Sequence, residues 1–244
     1  NMVFEAARNT ILAGRADALV VGCTGTRLHV LKTIHALQQA EVATGDGMPP
    51  ERVSRPFDAD RTGMVLGEGA ACLIVERLEK ALERGATIHA EILGGASATA
   101  VDRNMVADVR KAMALAMAEA IRRSGLDPAD IDFVVAHGLG TRSGDAAEAQ
   151  AIRDVFGDRD VPVTAPKSYF GNLGAAAGVV EAIAGILSLR EGVICPTLNY
   201  ETPDPECPVR VVTEGDVAAG RRFLNVNVTP QGQASAAVLA RADG

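Results

Sequence analysis

Tryptophan is absent from this 244-residue chain, and aromatic residues make up only 3% of it. A core must therefore be built from Ala, Val, Leu and Ile, and the hydrophobic content of 48% is enough for a sizeable one. No apolar run approaches the length of a membrane span, and no basic segment precedes an apolar one, so neither a membrane anchor nor a leader is expected. No basic run interleaved with aromatics occurs, and 24 basic against 31 acidic residues give a net charge of −7. Nucleic acid is accordingly excluded as a partner. The four cysteines, Cys23, Cys72, Cys195 and Cys207, show neither C-x-x-C spacing nor paired histidines. That spacing does not suggest a zinc site, and the cysteines read as reduced thiols of a cytoplasmic protein, with no metal or cofactor called for.

What is present is alternation. Residues 2 to 13 carry apolar positions at helical spacing up to Gly14, followed by Ala18-Leu-Val-Val-Gly22, an apolar strand of the kind buried on both faces. Helical spacing returns from Arg27 to Glu41, and residues 43 to 61 read as a long surface loop. A glycine-rich entry at Gly67-Glu-Gly69 leads into a strand ending at Glu76. A short helix at 78 to 84 and a strand at 87 to 94 follow. After a polar stretch from Ser97 to Asn104 come a helix (106–124), a strand at 133, a helix (145–156), a strand (161–165) and an Ala/Gly-rich helix (173–190) stopped by Gly192. Two strands, about 222–228 and 233–241, close the chain. Strands alternating with helices predict an α/β fold with a mostly parallel sheet. Glu5-Ala-Ala…Ile11-Leu and Glu181-Ala-Ile…Ile186-Leu share a pattern that suggests a duplicated unit. The opening Asn1-Met-Val-Phe already has helical character without a cap, which reads as a fragment.

The chemistry centres on Phe133-Val-Val-Ala-His137-Gly-Leu-Gly140-Thr-Arg-Ser-Gly144-Asp145. An apolar strand delivers a histidine into a glycine turn at the carboxyl edge of a sheet, where backbone can approach a substrate. His137 is the candidate acid/base or oxyanion donor, although this stretch alone also fits a core strand with an incidental surface histidine. His29, His35 and His89 lack such a turn and read as surface or packing residues. Lys167 follows a strand at a ligand-binding position, and Glu181 could hold it charged. Asn172 could donate to a developing oxyanion or cap the helix after it. Asp145 and Glu148, three apart, are either orienting carboxylates below His137 or an ordinary acidic first turn. The Gly138 turn also fits a nucleotide-binding pattern, but without the acidic residue that such a site needs about 20 residues on.

Taken together, Ser54-Arg-Pro-Phe-Asp58…Gly67-Glu-Gly69, His137-Gly-Leu-Gly-Thr…Gly144-Asp145…Glu148, Pro166-Lys167-Ser168…Gly171-Asn-Leu-Gly…Gly178-Val-Val-Glu181 and Cys195-Pro-Thr-Leu-Asn199…Pro203-Asp204 resemble the β-ketoacyl-acyl-carrier-protein synthase II family of condensing enzymes. The resemblance implies a thiolase-like fold, layered α/β/α/β/α with two similar halves. Residues 1–103 would be the end of the N-terminal half, and residues 104–244 the C-terminal half. It further implies an acyltransferase that performs decarboxylative Claisen condensation between an acyl thioester and malonyl-carrier protein, in fatty acid or polyketide synthesis. His137 would match one of two enolate-stabilising histidines, with Lys167 and Glu181 as the pair behind them. Partners implied are an acyl carrier protein, its acyl and malonyl thioesters, and a second copy or an active synthase in a dimer.

This sequence departs from the family pattern at three places. The nucleophilic cysteine is expected a few residues upstream of Asn1, and none of the four cysteines matches it. Asn172 replaces the second histidine, and Asn227-Val-Thr-Pro-Gln-Gly-Gln replaces a phenylalanine-bearing gate. Asn172 has two readings: synthase III-type enzymes use a Cys-His-Asn set, whereas chain-length-factor subunits have lost catalysis and pair with an active partner. Any docking surface for an acidic carrier must be a local basic patch. Arg52, Arg55 and Arg61 are possible members, with a solvated loop as their alternative role.

Overall fold

In the computed structural model, residues 1–45 and 47–242 are described. Two sheets enclose a layer of helices. The smaller sheet pairs β1 (Ala18–Gly25) with β2 (Gly69–Glu76), antiparallel over eight residue pairs. The larger has the strand order β3-β8-β7-β4-β5-β6, from β3 (Glu91–Thr99), β4 (Phe133–Val135), β5 (Pro162–Thr164), β6 (Arg210–Val211), β7 (Arg222–Val228) and β8 (Gln233–Ala240). Between the sheets lie α1 (Met2–Leu12) and α7 (Ala177–Glu191), each packed against strands of both. The two segments with the shared Glu-Ala and Ile-Leu pattern therefore occupy one layer. On the outer face of the larger sheet lie α4 (Val109–Ser124) and α5 (Arg142–Phe156). The remaining helices are α2 (Val30–Gln39), α3 (Leu78–Glu83) and the single turn α6 (Lys167–Phe170).

The larger sheet is mixed rather than mostly parallel. β4 pairs in parallel with β5 and β7, and β5 with β6, but β8 runs antiparallel to both β7 and β3. The cause is local: β7 and β8 are joined by a tight turn in which Gly232 has φ +77° and donates to Thr229, and a hairpin forces antiparallel pairing. β3 begins at Glu91, later than its apolar pattern suggests, and pairs with β8 through Thr99.

The period-2 geometry of β4 divides its side chains between two cores. Phe133 and Val135 face the central helices with Phe4, Val179 and Leu189, while Val134 faces α4 and α5 with Met113, Met117 and Ile152. All three residues of β4 are fully buried. β1 does not share this, although its composition suggests burial on both faces. Val20 is 77% exposed and Ile74 on β2 is 72% exposed, because among the described residues no element covers the outer face of that sheet. Helix ends follow local rules. Asp108 caps α4 by accepting from Lys111 N at 3.0 Å, and Gly125 and Gly192 terminate α4 and α7 in left-handed conformations. The helix expected over 173–190 opens with a short turn at Gly174–Ala176 that leads directly into α7, and Gly171 at φ +70° sets it apart from the single turn α6 before it. No helix among the described residues is long and apolar enough to cross a membrane.

Close approach sets the central layer. A Cβ on Gly185 would stand 2.5 Å from the Phe223 ring, which stacks on Phe133 with centroids 5.2 Å apart. Gly185→Ala should therefore destabilise the protein by about 1–3 kcal/mol in urea unfolding, through overpacking. Gly185→Ala combined with Phe223→Leu should lose less than the sum of the two single changes. Additive losses would show that the contact is not the constraint.

Candidate active site

β4 ends at Val135, and the chain then turns through His137-Gly-Leu-Gly140 into α5. Gly138 and Gly140 have φ of +44° and +81°, and a Cβ on Gly138 would fall 2.5 Å from the Cβ of Ala165. The turn needs glycine for both reasons. Two buried carboxylates of α5 hold its amides. Glu148 accepts from His137 N at 2.6 Å and Gly138 N at 2.8 Å. Asp145 accepts from Leu139 N and Gly140 N, both at 3.0 Å, and from Phe57 N at 2.8 Å. Burial pushes Asp145 up to about 6 and Glu148 up to about 8, against the opposing pull of those amides. The two carboxylates therefore grip the backbone beneath His137 rather than its ring.

Lys167, at the start of α6, is buried and lies under the same turn. Its ammonium forms an ion pair with Glu181 of α7, donates to the His137 carbonyl at 2.5 Å and lies 3.2 Å from His137 Nδ1. These partners use all three of its protons. Because a lysine ammonium can only donate, Nδ1 must accept, and the imidazole proton then resides on Nε2. His137 is half-buried. Desolvation, and then the charges of Lys167 and Arg27, hold its pKa well below the usual histidine value, so the ring is neutral. The second oxygen of Glu181 accepts from Asn227 Nδ2 at 2.6 Å.

Asn172 sits in the turn between α6 and α7, and its backbone is tied to the segment before β2. Its N donates to Val65 O at 2.7 Å, and its O accepts from Gly67 N at 3.1 Å. Its side-chain Oδ1 accepts from Gly174 N at 3.0 Å, while Nδ2 faces the weakly accepting sulfur of Met64 at 3.2 Å. That leaves a donor easily diverted to a better acceptor. Thus Lys167, Glu181 and His137 are in direct contact, with Asp145 and Glu148 one layer below. Asn172 is anchored separately and makes no hydrogen bond to His137 among the described residues.

The start of α1 enters the same region. Asn1 donates through Nδ2 to Asn225 O at 3.0 Å and Ser235 O at 3.2 Å, and Asn225 Nδ2 returns a bond to Asn1 Oδ1 at 2.7 Å.

The loop arginines differ from a solvated patch. Arg61 is 1% exposed: it pairs with Asp204 at 2.5 Å and donates to the carbonyls of Thr141, Asp58 and Arg142, with Asp145 3.8 Å away. Arg55 is also buried, between Asp58 and Glu201, and only Arg52 projects outward, onto Glu201. Asp58 in turn accepts from Glu201 N and Thr202 N, both at 2.7 Å. Arg55, Asp58 and Arg61 thus form a buried ion-pair frame that ties residues 201–204 to the start of α5. Sequence reasoning also missed the Asn227–Glu181 contact. Its signal was two asparagines, Asn225 and Asn227, in an otherwise apolar strand. His29, His35 and His89 are exposed.

The sequence and the fold match those of known proteins. Residues 1–81 match the family model described as beta-ketoacyl synthase, N-terminal domain, and residues 89–201 match the one described as beta-ketoacyl synthase, C-terminal domain. The chain is similar to 3-oxoacyl-[acyl-carrier-protein] synthase 2 of Mycobacterium tuberculosis, 42% identical over 219 residues that cover 89% of this chain and 52% of that protein. It therefore spans about half the length of this curated relative. Among solved structures it is similar to a type II polyketide ketosynthase in complex with its acyl-carrier protein, with TM-score 0.92 and 28% identity over 99% of this chain and 60% of that one. It is also similar to the ishigamide ketosynthase/chain length factor, with TM-score 0.88 and 32% identity over 99% of this chain and 58% of that one. The layered architecture is thiolase-like.

The Lys167–Glu181 pair has a measurable consequence. Glu181→Ala leaves a buried ammonium unpaired and should cost about 3–5 kcal/mol in urea unfolding. Glu181→Ala with Lys167→Met, which removes both charges, should cost less than Glu181→Ala alone. A double variant less stable than that single variant would contradict the pairing.

Proposed function

Because the chain belongs to the beta-ketoacyl synthase family, we propose that it forms part of a condensing enzyme in which His137 and Asn172 stabilise an enolate. The observation that supports this most is the Lys167 ammonium on Nδ1 of a neutral His137. It leaves Nε2–H as a fixed donor, which suits an oxyanion better than it suits proton abstraction. In the reaction, malonyl thioester loses carbon dioxide as its C–C bond breaks, and the electron pair moves to the thioester oxygen. His137 Nε2 and Asn172 Nδ2 donate to that oxygen. The enolate carbon then attacks an acyl group held as a thioester on the enzyme, a new C–C bond forms, and the cysteine thiolate leaves. That cysteine is expected upstream of Asn1, where the N-terminal end of α1 would lower its pKa. Lys167 and Glu181 position the donor without touching substrate. The same reading gives the protein a carrier-protein partner, a dimeric assembly and a cytoplasmic location.

Asn172 supports a second reading, in which this chain is a chain-length-factor-like subunit that shapes the pocket of an active partner. Malonyl-pantetheine decarboxylation by the full-length protein separates the two, because that step does not need the nucleophile. Under the condensing reading the parent is active, and His137→Ala lowers kcat about 10²–10³-fold, the usual loss for an oxyanion donor. An inactive parent that co-purifies with a synthase would favour the second reading.

The pH dependence follows from His137. With its pKa well below the usual value of 6.5, the ring stays neutral as pH falls through 6.5, and the decarboxylation rate should not drop there. Lys167→Met removes a positive charge beside the ring and should move the acid limb upward toward 6.5. An imidazolium signal from His137 at pH 6.5 in the parent, read by nitrogen NMR, would overturn the neutral-donor assignment.

A further inference from the structure

One positive charge near His137 has no part in this scheme. Arg27 follows the end of β1, and its guanidinium lies on the turn that carries Asn172. A Cβ at Gly174 would stand 2.7 Å from Arg27 Nε and 3.4 Å from both Cζ and Nη2. Gly174 is therefore the space into which this side chain fits, and its N–H is the one bound to Asn172 Oδ1. Arg27 is also close enough to His137 to join Lys167 in disfavouring the protonated ring.

The other cations of the region are neutralised: Lys167 by Glu181, Arg61 by Asp204, and Arg55 by Asp58 and Glu201. Among the described residues no carboxylate pairs with Arg27, and its buried Nε has no hydrogen-bond partner. A partly desolvated guanidinium with an unsatisfied donor is costly until an anion meets it, and its planar fork matches a carboxylate. The phosphate of a carrier arm is separated from its thioester by the whole length of the arm. An anion that reaches both Arg27 and the His137 donor must be borne on the acyl group itself.

We propose that Arg27 forms an anion subsite beside His137 that takes a carboxylate carried by the acyl thioester. The proposal rests on the condensing reading and adds a substrate class to it. Two sources share this chemistry: the extender carboxylate that leaves as carbon dioxide, and a carboxylate retained at the far end of a dicarboxylic acyl group. An ion pair to a departing carboxylate stabilises the ground state as well as the transition state, whereas a retained carboxylate gains binding at no cost to the chemical step.

Calorimetric binding of malonyl-, glutaryl- and valeryl-pantetheine to the full-length protein tests it, with Arg27→Gln and Arg27→Lys alongside. Arg27→Gln should weaken a carboxylate-bearing thioester about tenfold or more and valeryl-pantetheine less than about threefold, and Arg27→Lys should recover part of the loss. Loss on malonyl-pantetheine alone assigns the extender carboxylate, and loss on glutaryl-pantetheine assigns a retained one. Equal effects on charged and neutral thioesters, or none, overturn the subsite. Binding is read without turnover, so a parent that discriminates glutaryl from valeryl yet decarboxylates nothing would sink the condensing reading while leaving the subsite standing.

Discussion

A buried ammonium–carboxylate pair beneath a histidine is the constraint around which this molecule is arranged. Lys167 and Glu181 come from different helices, and removing either leaves a charge without water. Such a pair contributes little net stability compared with apolar packing. What it supplies is geometry: α6, α7 and the His137 turn must meet in one arrangement for all three lysine protons to find acceptors. Asn227 on β7 closes the pair from the sheet side, so strand and helix registers are coupled to the orientation of the ring.

The rest of the polar core serves the same turn from below and from the side. Glu148 and Asp145 accept its successive amides, and Arg61 ties the start of α5 to Asp204 and to the loop that contains Asp58. Asn199, held at φ +62°, donates to the carbonyls of Glu51 and Ser54, both at 2.8 Å. Motifs far apart in the chain thus form one hydrogen-bonded frame, with each conformation fixed by a partner from another segment. A frame of this kind holds a donor still while charge develops in front of it, which is the physical content of preorganisation.

Much of this was legible in the sequence. The strand-His-Gly-X-Gly pattern located the turn, and the Lys167–Glu181 pairing was readable from their places before and on one helix. The Ala/Gly-rich composition of residues 173–190 is that of a helix able to pack closely on its neighbours, as Gly185 against Phe223 shows. Period and propensity failed where long-range partners decide. The mixed sheet follows from a hairpin turn between β7 and β8 that an alternating α/β pattern does not specify. The loop at 43–61 reads as solvated because it is charged, yet Arg55, Asp58 and Arg61 are buried by partners up to about 140 residues away in sequence. The placement of Arg27 was invisible for the same reason, since Gly174 and the His137 turn come from distant segments. Spacing along one segment carries none of that.

The claim on which the account stands is the protonation state of one ring. Nitrogen NMR of full-length protein with labelled histidine, at neutral pH, reports directly which ring nitrogen of His137 carries the proton, with His137→Gln used to assign the signals. The account predicts a neutral imidazole protonated at Nε2, with Nδ1 bare and accepting from Lys167. An Nδ1-protonated tautomer, or an imidazolium, would contradict it, because either would leave the lysine ammonium facing a donor and would remove the basis for a fixed Nε2–H at the reacting oxygen.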